Sequence, residues 1–293
     1  MINFDNSLFF SKNRFNFNNN KNYTKNLAQA QQHSEKILKE FSLGSNQILQ
    51  SFTAKYQKKI RNIKQSLKLK SKKKVVIGIG GSSSGAKALS FFLNDDISYF
   101  DNLDLEYFKN FFKEKNIKDY IFFVISKSGD TFETLALLNL LIIESQKIKN
   151  FNIFESMVVI TENKENILRS FSKKKNIKIV EHNPDIGGRF SIFSETGILP
   201  FTDLNFNIED GSEKFIHLLN KDSDLSPTKN AAILLTCINE MKLNIYCNLI
   251  YSYRLKHFSY WFHQLHAESL GKSNDALTPT TSICPKDHHS MMQ

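Results

Sequence analysis

The chain has 293 residues, 41% of them hydrophobic, enough for one large core or two modest domains. Its formal net charge is +10, but ten of its Lys and Arg fall between Lys55 and Lys74, leaving 29 basic against 29 acidic residues elsewhere. No apolar run reaches membrane-span length, no basic-then-apolar signal pattern opens the chain, and Cys237, Cys247 and Cys284 form no CxxC pair. The expectation is a cytoplasmic protein with reduced thiols, no zinc framework and no membrane partner.

The Asn-rich start "NRFNFNNNKN" is a low-complexity segment that suggests no chemistry. The basic run from Lys55 carries Ile60, Ile63 and Leu67 at helical spacing, so it reads as an amphipathic helix with a solvated outer face. No aromatic platform interleaves its charges, which argues against a nucleic-acid partner. Strands and helices then alternate. "KVVIGIG", "YIFFVIS", "SMVVIT" and "IKIVEH" read as buried strands; "GAKALSFFL", "TFETLALLNLLIIES" and "ENKENILRSF" read as helices between them. Short continuous apolar strands separated by helices predict a parallel sheet covered on both faces. The fold class is therefore α/β, with a doubly wound domain over residues 41–182 behind an N-terminal segment of residues 1–40. Residues 183–202, "NPDIGGRFSIFSETGILP" and its flank, form a crossing segment. Residues 203–293 begin a second α/β unit with helices at "IEDGSEKFIHLL" and "TKNAAILLTCINEMK", a lone strand "NIYCNLIYS" and a helix near Tyr260–Leu270. One strand closes a core poorly, so this second domain is expected to be incomplete.

Two glycine- and serine-rich turns carry the chemistry. The first, in "VVIGIGGSSSGAKAL", misses a dinucleotide fingerprint because Ser83 stands where glycine is needed, and misses a P-loop because Ala86 stands where lysine is needed. What remains is a strand-to-helix turn with Ser82, Ser83 and Ser84, where backbone N–H groups and a helix dipole favour an anion. The second, "VISKSGDTFET", supplies Ser126, Ser128 and Thr131 around Lys127. A lone Ser or Thr at such a place is ordinarily a helix cap. Two hydroxyl turns on successive parallel strands instead point to one phosphate monoester at the C-terminal edge of the sheet.

"GIGGSSSGAKA" together with "SKSGDTFET" resembles the sugar-isomerase (SIS-type) phosphate-binding domain. "GGRFSIFSETGILP", "QLHAESLGK" and "LTPTTSICPKDHHSMMQ" make the chain similar to the glucose-6-phosphate isomerase family in its shorter bacterial form. The five motifs occur in the family's order from about Lys74 to Gln293. The resemblance implies an aldose–ketose isomerase that interconverts glucose 6-phosphate and fructose 6-phosphate through an enediolate, with no cofactor and no metal. It places the catalytic base at Glu268, the enediolate-stabilising arginine at Arg189 and the ring-opening histidine at His289. Counting from "AESLGK" selects His289, with His288 as the alternative in the "HH" pair. Gly81, Ser82, Ser126, Lys127, Ser128, Thr131 and Gly188 match substrate-binding positions. A homodimer is implied, with His289 reaching the neighbouring subunit's site, and the site would lie in a cleft between two domains. Asp130 stands where the family commonly has Thr, and its carboxylate would oppose a phosphate unless it points away. The family's late substrate-binding lysine has no match up to Gln293, so a C-terminal truncation with poor folding and little activity is expected. The competing reading is a non-catalytic sugar-phosphate sensor, which would have no need of Glu268, Arg189 and His289 together.

Overall fold

The computed structural model describes residues 10, 16–68, 72–201, 208–220, 226–272 and 276–291. Two long helices, α1 (Lys21–Leu43) and α2 (Ala54–Leu67), with a single helical turn at Gln47–Gln50 between them, precede the alternating run. That run is β1 (Lys73–Ile77), α3 (Ser84–Leu93), β2 (Ile97–Phe100), α4 (Leu105–Glu114), β3 (Tyr120–Ile125), α5 (Phe132–Gln146), β4 (Met157–Glu162), α6 (Ile167–Lys174) and β5 (Lys178–His182). Short helical turns at Gly188–Phe193 and Glu195–Ile198 follow, then α7 (Ile208–Asn220), α8 (Pro227–Met241), β6 (Ile245–Ile250), α9 (Lys256–Leu270) and β7 (Thr278–Ile283). Among the described residues no helix is long and apolar enough to cross a membrane.

The first five strands form one parallel sheet in the order β2-β1-β3-β4-β5. Every residue of β3 and β4 is buried. The two-residue period of a strand divides their side chains between two cores. Val76, Phe123, Ile125, Val158 and Ile160 pack on one face with Tyr56 and Ile60 of α2, Ala86 and Leu89 of α3, and Ile192 and Leu199 of the crossing segment. Val75, Ile77, Phe122, Val124 and Val159 pack on the other face with Phe108 of α4, Leu137 and Leu141 of α5, and Leu168 of α6. The expected doubly wound α/β domain is present, and α2 is the expected basic amphipathic helix, with Ile60 and Leu67 buried.

Two differences from the sequence reading have clear physical causes. The opening segment is no mere low-complexity run. Asn20 accepts the Tyr23 N–H at 2.9 Å as the N-cap of α1. α1 then packs on α8 through Asn26–Thr236 and Ser34–Thr228 side-chain hydrogen bonds at 2.9 and 2.6 Å. The strand expected to stand alone is paired: β6 runs parallel to β7, with Ile245 opposite Thr278 and Ile250 opposite Ile283. β7 reads "TPTTSI", and its Pro279 and threonines hide it among loop sequences. The boundary expected between residues 202 and 203 lies outside the described residues.

Candidate functional site

The order β2-β1-β3-β4-β5 reverses direction between β1 and β3, and loops at the carboxyl ends of strands diverge at such a point. The two hydroxyl turns leave the sheet there. A cleft of about 350 Å³ opens between them, lined by Gly81, Ser82, Lys127, Ser128, Thr131, Glu162, Lys164, Gly188, Arg189, Gln264 and Glu268 with Ile79. Residues from four separate sequence motifs therefore share one wall or another of a single cavity.

In the turn after β1 only part of the serine run faces the cleft. Ser82 lines it. Ser83 is buried and donates to the Gly80 carbonyl at 3.3 Å, and Ser84 donates to Gln264 Oε1 at 2.9 Å. Gly81 packs directly on the crossing segment. A Cβ built there would lie 2.3 Å from Gly188 C and 2.6 Å from Arg189 N, so only glycine permits the contact. Ser191 Oγ donates to Gly81 O at 3.1 Å and pins the same junction.

The turn after β3 is organised by its own hydroxyls. Ser126 Oγ accepts the Gly129 N–H at 3.0 Å and lies 2.8 Å from Thr131 Oγ1, while Ser128 Oγ lies 3.5 Å from Thr131 Oγ1. Gly129 has φ +76, and a Cβ there would fall 1.9 Å from Asn166 Oδ1. Asp130 does point away: its Oδ1 accepts the Ile167 N–H at 2.9 Å at the start of α6. The carboxylate thus serves a helix end rather than opposing an anion in the cleft.

Lys127 Nζ donates to the carbonyls of Pro184 at 2.6 Å and Ile186 at 3.2 Å, and lies 3.5 Å from Glu162 Oε1. Glu162 also pairs with Lys164 at 2.8 Å. Burial works against the Glu162 charge, but the hydrogen bond and charge of Lys164, with those of Lys127, outweigh it and hold the carboxyl below its usual range.

Helix α9 supplies the rest. Trp261, Gln264 and Glu268 follow an i, i+3, i+7 spacing and share one face. Trp261 Nε1 donates to Arg189 O at 2.9 Å, fixing the arginine backbone. The Arg189 guanidinium donates from Nε to Ser269 Oγ at 2.9 Å and from Nη1 to Glu268 Oε2 at 3.3 Å. Gln264 Nε2 donates to Glu268 Oε1 at 2.7 Å, so both carboxylate oxygens are held while the side chain stays half-exposed.

A buried network secures the crossing segment. Glu195 Oε1 lies 2.8 Å from His182 Nδ1 and accepts the Asn183 N–H at 2.8 Å; Oε2 accepts from Tyr56 OH at 2.8 Å. Burial would raise the Glu195 carboxyl, yet the His182 contact and the Asn183 N–H bring it below its ordinary value. Burial, with the adjacent Glu195 charge, raises the Tyr56 hydroxyl.

Glu268, Arg189, Gly188, Gly81, Ser82, Lys127, Ser128 and Thr131 are thus brought together, with buried Ser126 supporting the turn from behind. His289 is not: it is exposed on the turn Lys286–His289 and does not line the cleft. His288 is half-buried, with Nε2 3.0 Å from Tyr251 OH. The sequence reading does not single out Gln264, Trp261, Glu162 or Lys164. The first two were accessible from their spacing to Glu268 on one helix; the other two carry no motif signal.

The phosphoglucose isomerase family profile matches residues 4–283. A glucose-6-phosphate isomerase of Methanocaldococcus jannaschii is 33% identical over 229 residues, covering 75% of this chain and 55% of the relative. The chain spans about half the length of the curated relatives it matches. A crystal structure of a hypothetical protein from Thermus thermophilus superposes with a TM-score of 0.75 at 25% identity, covering 92% of this chain and 68% of that one. A glucose-6-phosphate isomerase structure from Chlamydia trachomatis shares the fold, with a TM-score of 0.63 at 24% identity over 82% of this chain and 50% of that one. With its parallel sheet, paired hydroxyl turns and glycine–arginine crossing segment, the chain belongs to the phosphoglucose isomerase family.

Proposed function

We propose that the chain carries the phosphate-holding and proton-transferring cleft of an aldose–ketose isomerase that interconverts D-glucose 6-phosphate and D-fructose 6-phosphate. One observation carries the reading: a single cleft has hydroxyls and lysines at the sheet edge and a Glu268–Arg189 pair at 3.3 Å from the crossing segment and α9. Ser82, Ser128 and Thr131, with Ser126 behind them, hold the 6-phosphate, and Gly81 and Gly188 let backbone approach the ligand. That placement leaves the sugar's C1–C2 end toward Glu268.

Glu268 takes the C2 proton and returns it to C1. As the carboxylate is protonated, Arg189 loses its anionic partner while charge develops on the substrate oxygen. The guanidinium, fixed by Ser269 Oγ and by the Trp261 bond to its backbone, then stabilises the enediolate. Gln264 holds the other Glu268 oxygen and sets the direction from which the base works. The proton moves within one substrate molecule, so the reaction as proposed needs no hydride carrier and no metal. The exposed position of His289 suits ring opening in a neighbouring subunit's cleft, within a homodimer. Three free cysteines fit a reducing cytoplasm.

A coupled assay for conversion of fructose 6-phosphate to glucose 6-phosphate tests the reading. In a chain extended to the length of its curated relatives, Glu268→Gln keeps the side chain's size but exchanges one of the two accepting oxygens for an NH2 group and cannot take the proton, so kcat should fall by about 10²–10⁴-fold with KM little changed. Parent-like turnover by the Gln variant would remove Glu268 from the role of base.

A further inference from the structure

We infer that the cation meeting the substrate's phosphate is Lys164, and that Lys127 is instead a strut tying the phosphate turn to the segment that carries Arg189. The inference rests on the sugar-phosphate reading of the cleft and reverses the role that position in the motif suggests for Lys127.

A lysine ammonium has three N–H donors. Lys127 directs its Nζ to Pro184 O at 2.6 Å, Ile186 O at 3.2 Å and Glu162 Oε1 at 3.5 Å. All three partners are oxygen acceptors, and two are carbonyls just ahead of Gly187, Gly188 and Arg189. The Lys127 backbone is fixed as well, since its carbonyl accepts from Glu162 N at 3.1 Å and Thr161 Oγ1 at 3.3 Å. Turning this ammonium toward a phosphate would strip hydrogen bonds from the carbonyls that hold the arginine segment in place.

The Lys164 ammonium is placed differently. Its side chain is 58% exposed, it lines the same cleft as Ser128 and Thr131, and its ammonium is paired with Glu162 Oε2 at 2.8 Å. An exposed ion pair contributes little, so a dianionic phosphate can draw the ammonium off without disturbing the fold. Glu162, held by backbone at the end of β4 and bonded to both lysines, keeps the two in their separate places. Lys127 is a positioning residue, and Lys164 a substrate contact.

The experiment is calorimetric titration of the full chain with a phosphorylated sugar acid and with inorganic phosphate, paired with amide hydrogen exchange over residues 184–191. Lys164→Met keeps the methylene stem and should lower affinity for both ligands by roughly 10–100-fold, with exchange over 184–191 unchanged. Lys127→Met should leave affinity for inorganic phosphate within about three-fold while exchange over 184–191 accelerates at least about ten-fold. Lys127→Arg, which can still reach carbonyl acceptors, should restore part of the protection. The assignment is overturned if Lys127→Met costs as much phosphate affinity as Lys164→Met while the segment's exchange stays slow. If the unaltered chain bound neither ligand, the sugar-phosphate reading would fall and the Lys164 assignment with it, while exchange in Lys127→Met would still decide the strut.

Discussion

Substituting Gly81 by alanine probes the joint on which the two ends of the cleft depend. The new Cβ would lie 2.3 Å from Gly188 C, 2.6 Å from Arg189 N and 2.7 Å from Gly188 O, all backbone atoms. Ordinary contact begins near 3.4 Å, so turn and crossing segment must part by roughly 1 Å, a displacement large enough to matter in a site that depends on orientation. Neither side yields easily. Ser191 Oγ is bonded to Gly81 O, and the Arg189 carbonyl is bonded to Trp261. Overpacking of this kind costs about 1–3 kcal/mol, which for a chain this size lowers Tm by roughly 2–5 °C. Affinity for a phosphorylated sugar acid should fall about 10-fold or more, because the arginine end no longer lines up with the phosphate turn. Thermal unfolding and calorimetry on Gly81→Ala, with Gly211→Ala as control, read both effects. Gly211 lies in α7 with no described atom within 4 Å of where its Cβ would stand, so alanine there should be neutral or stabilise by up to about 1 kcal/mol. A Gly81→Ala chain with unchanged Tm and unchanged affinity would show that the close approach of the two segments does not organise the cleft.

Three further outcomes follow from other contacts. Thr131→Ala removes a hydroxyl that lines the cleft and meets Ser126 Oγ at 2.8 Å, so sugar-phosphate affinity by calorimetry should drop roughly 10–100-fold; an unchanged value contradicts the phosphate assignment. Asp130→Ala loses the bond to Ile167 N and should cost about 0.5–1.5 kcal/mol in denaturant unfolding, without raising phosphate affinity; tighter phosphate binding would place that carboxylate against the ligand instead. Burial, reinforced by Lys87 and Lys256, lowers the His257 imidazole from 6.5 to about 4, so the unfolded chain binds its proton more readily. Stability from this group is therefore complete above pH 6.5 and lost as pH falls toward 4. His257→Phe should flatten the Tm-against-pH curve in that window, and an unaltered curve would refute the assignment.

Much of the fold was legible because continuous apolar runs such as "YIFFVI" and "MVVIT" leave few alternatives to buried parallel strands. β2 escaped notice because it has only four residues, and β7 because proline and threonine mask a strand whose partner, β6, is 33 residues away at the Ile245–Thr278 pair. α1 hid behind an asparagine-rich start: Asn20 caps the helix locally, but the bonds of Asn20 and Asn22 to Glu240 exist only once α8 is packed beside it. At the site, the hydroxyl turns and the glycine–arginine segment were legible because backbone geometry restricts what can stand there. The Glu162–Lys164 pair was not, since a charged residue after a strand looks like any solvated surface position. The same holds for Glu195, whose burial against His182 and Tyr56 is a tertiary fact.

In the proposed reaction one cleft holds the 6-phosphate while Glu268 faces C1–C2. An electrophilic probe reads that geometry: a hexitol 6-phosphate with a 1,2-epoxide, incubated with the chain and followed by peptide mass spectrometry. The carboxylate that would take the C2 proton is then the one placed to open the epoxide, with the phosphate acting as tether. A single adduct is expected on Glu268, suppressed by glucose 6-phosphate and absent in Glu268→Gln. No adduct, or one on another carboxylate that glucose 6-phosphate does not suppress, would contradict it.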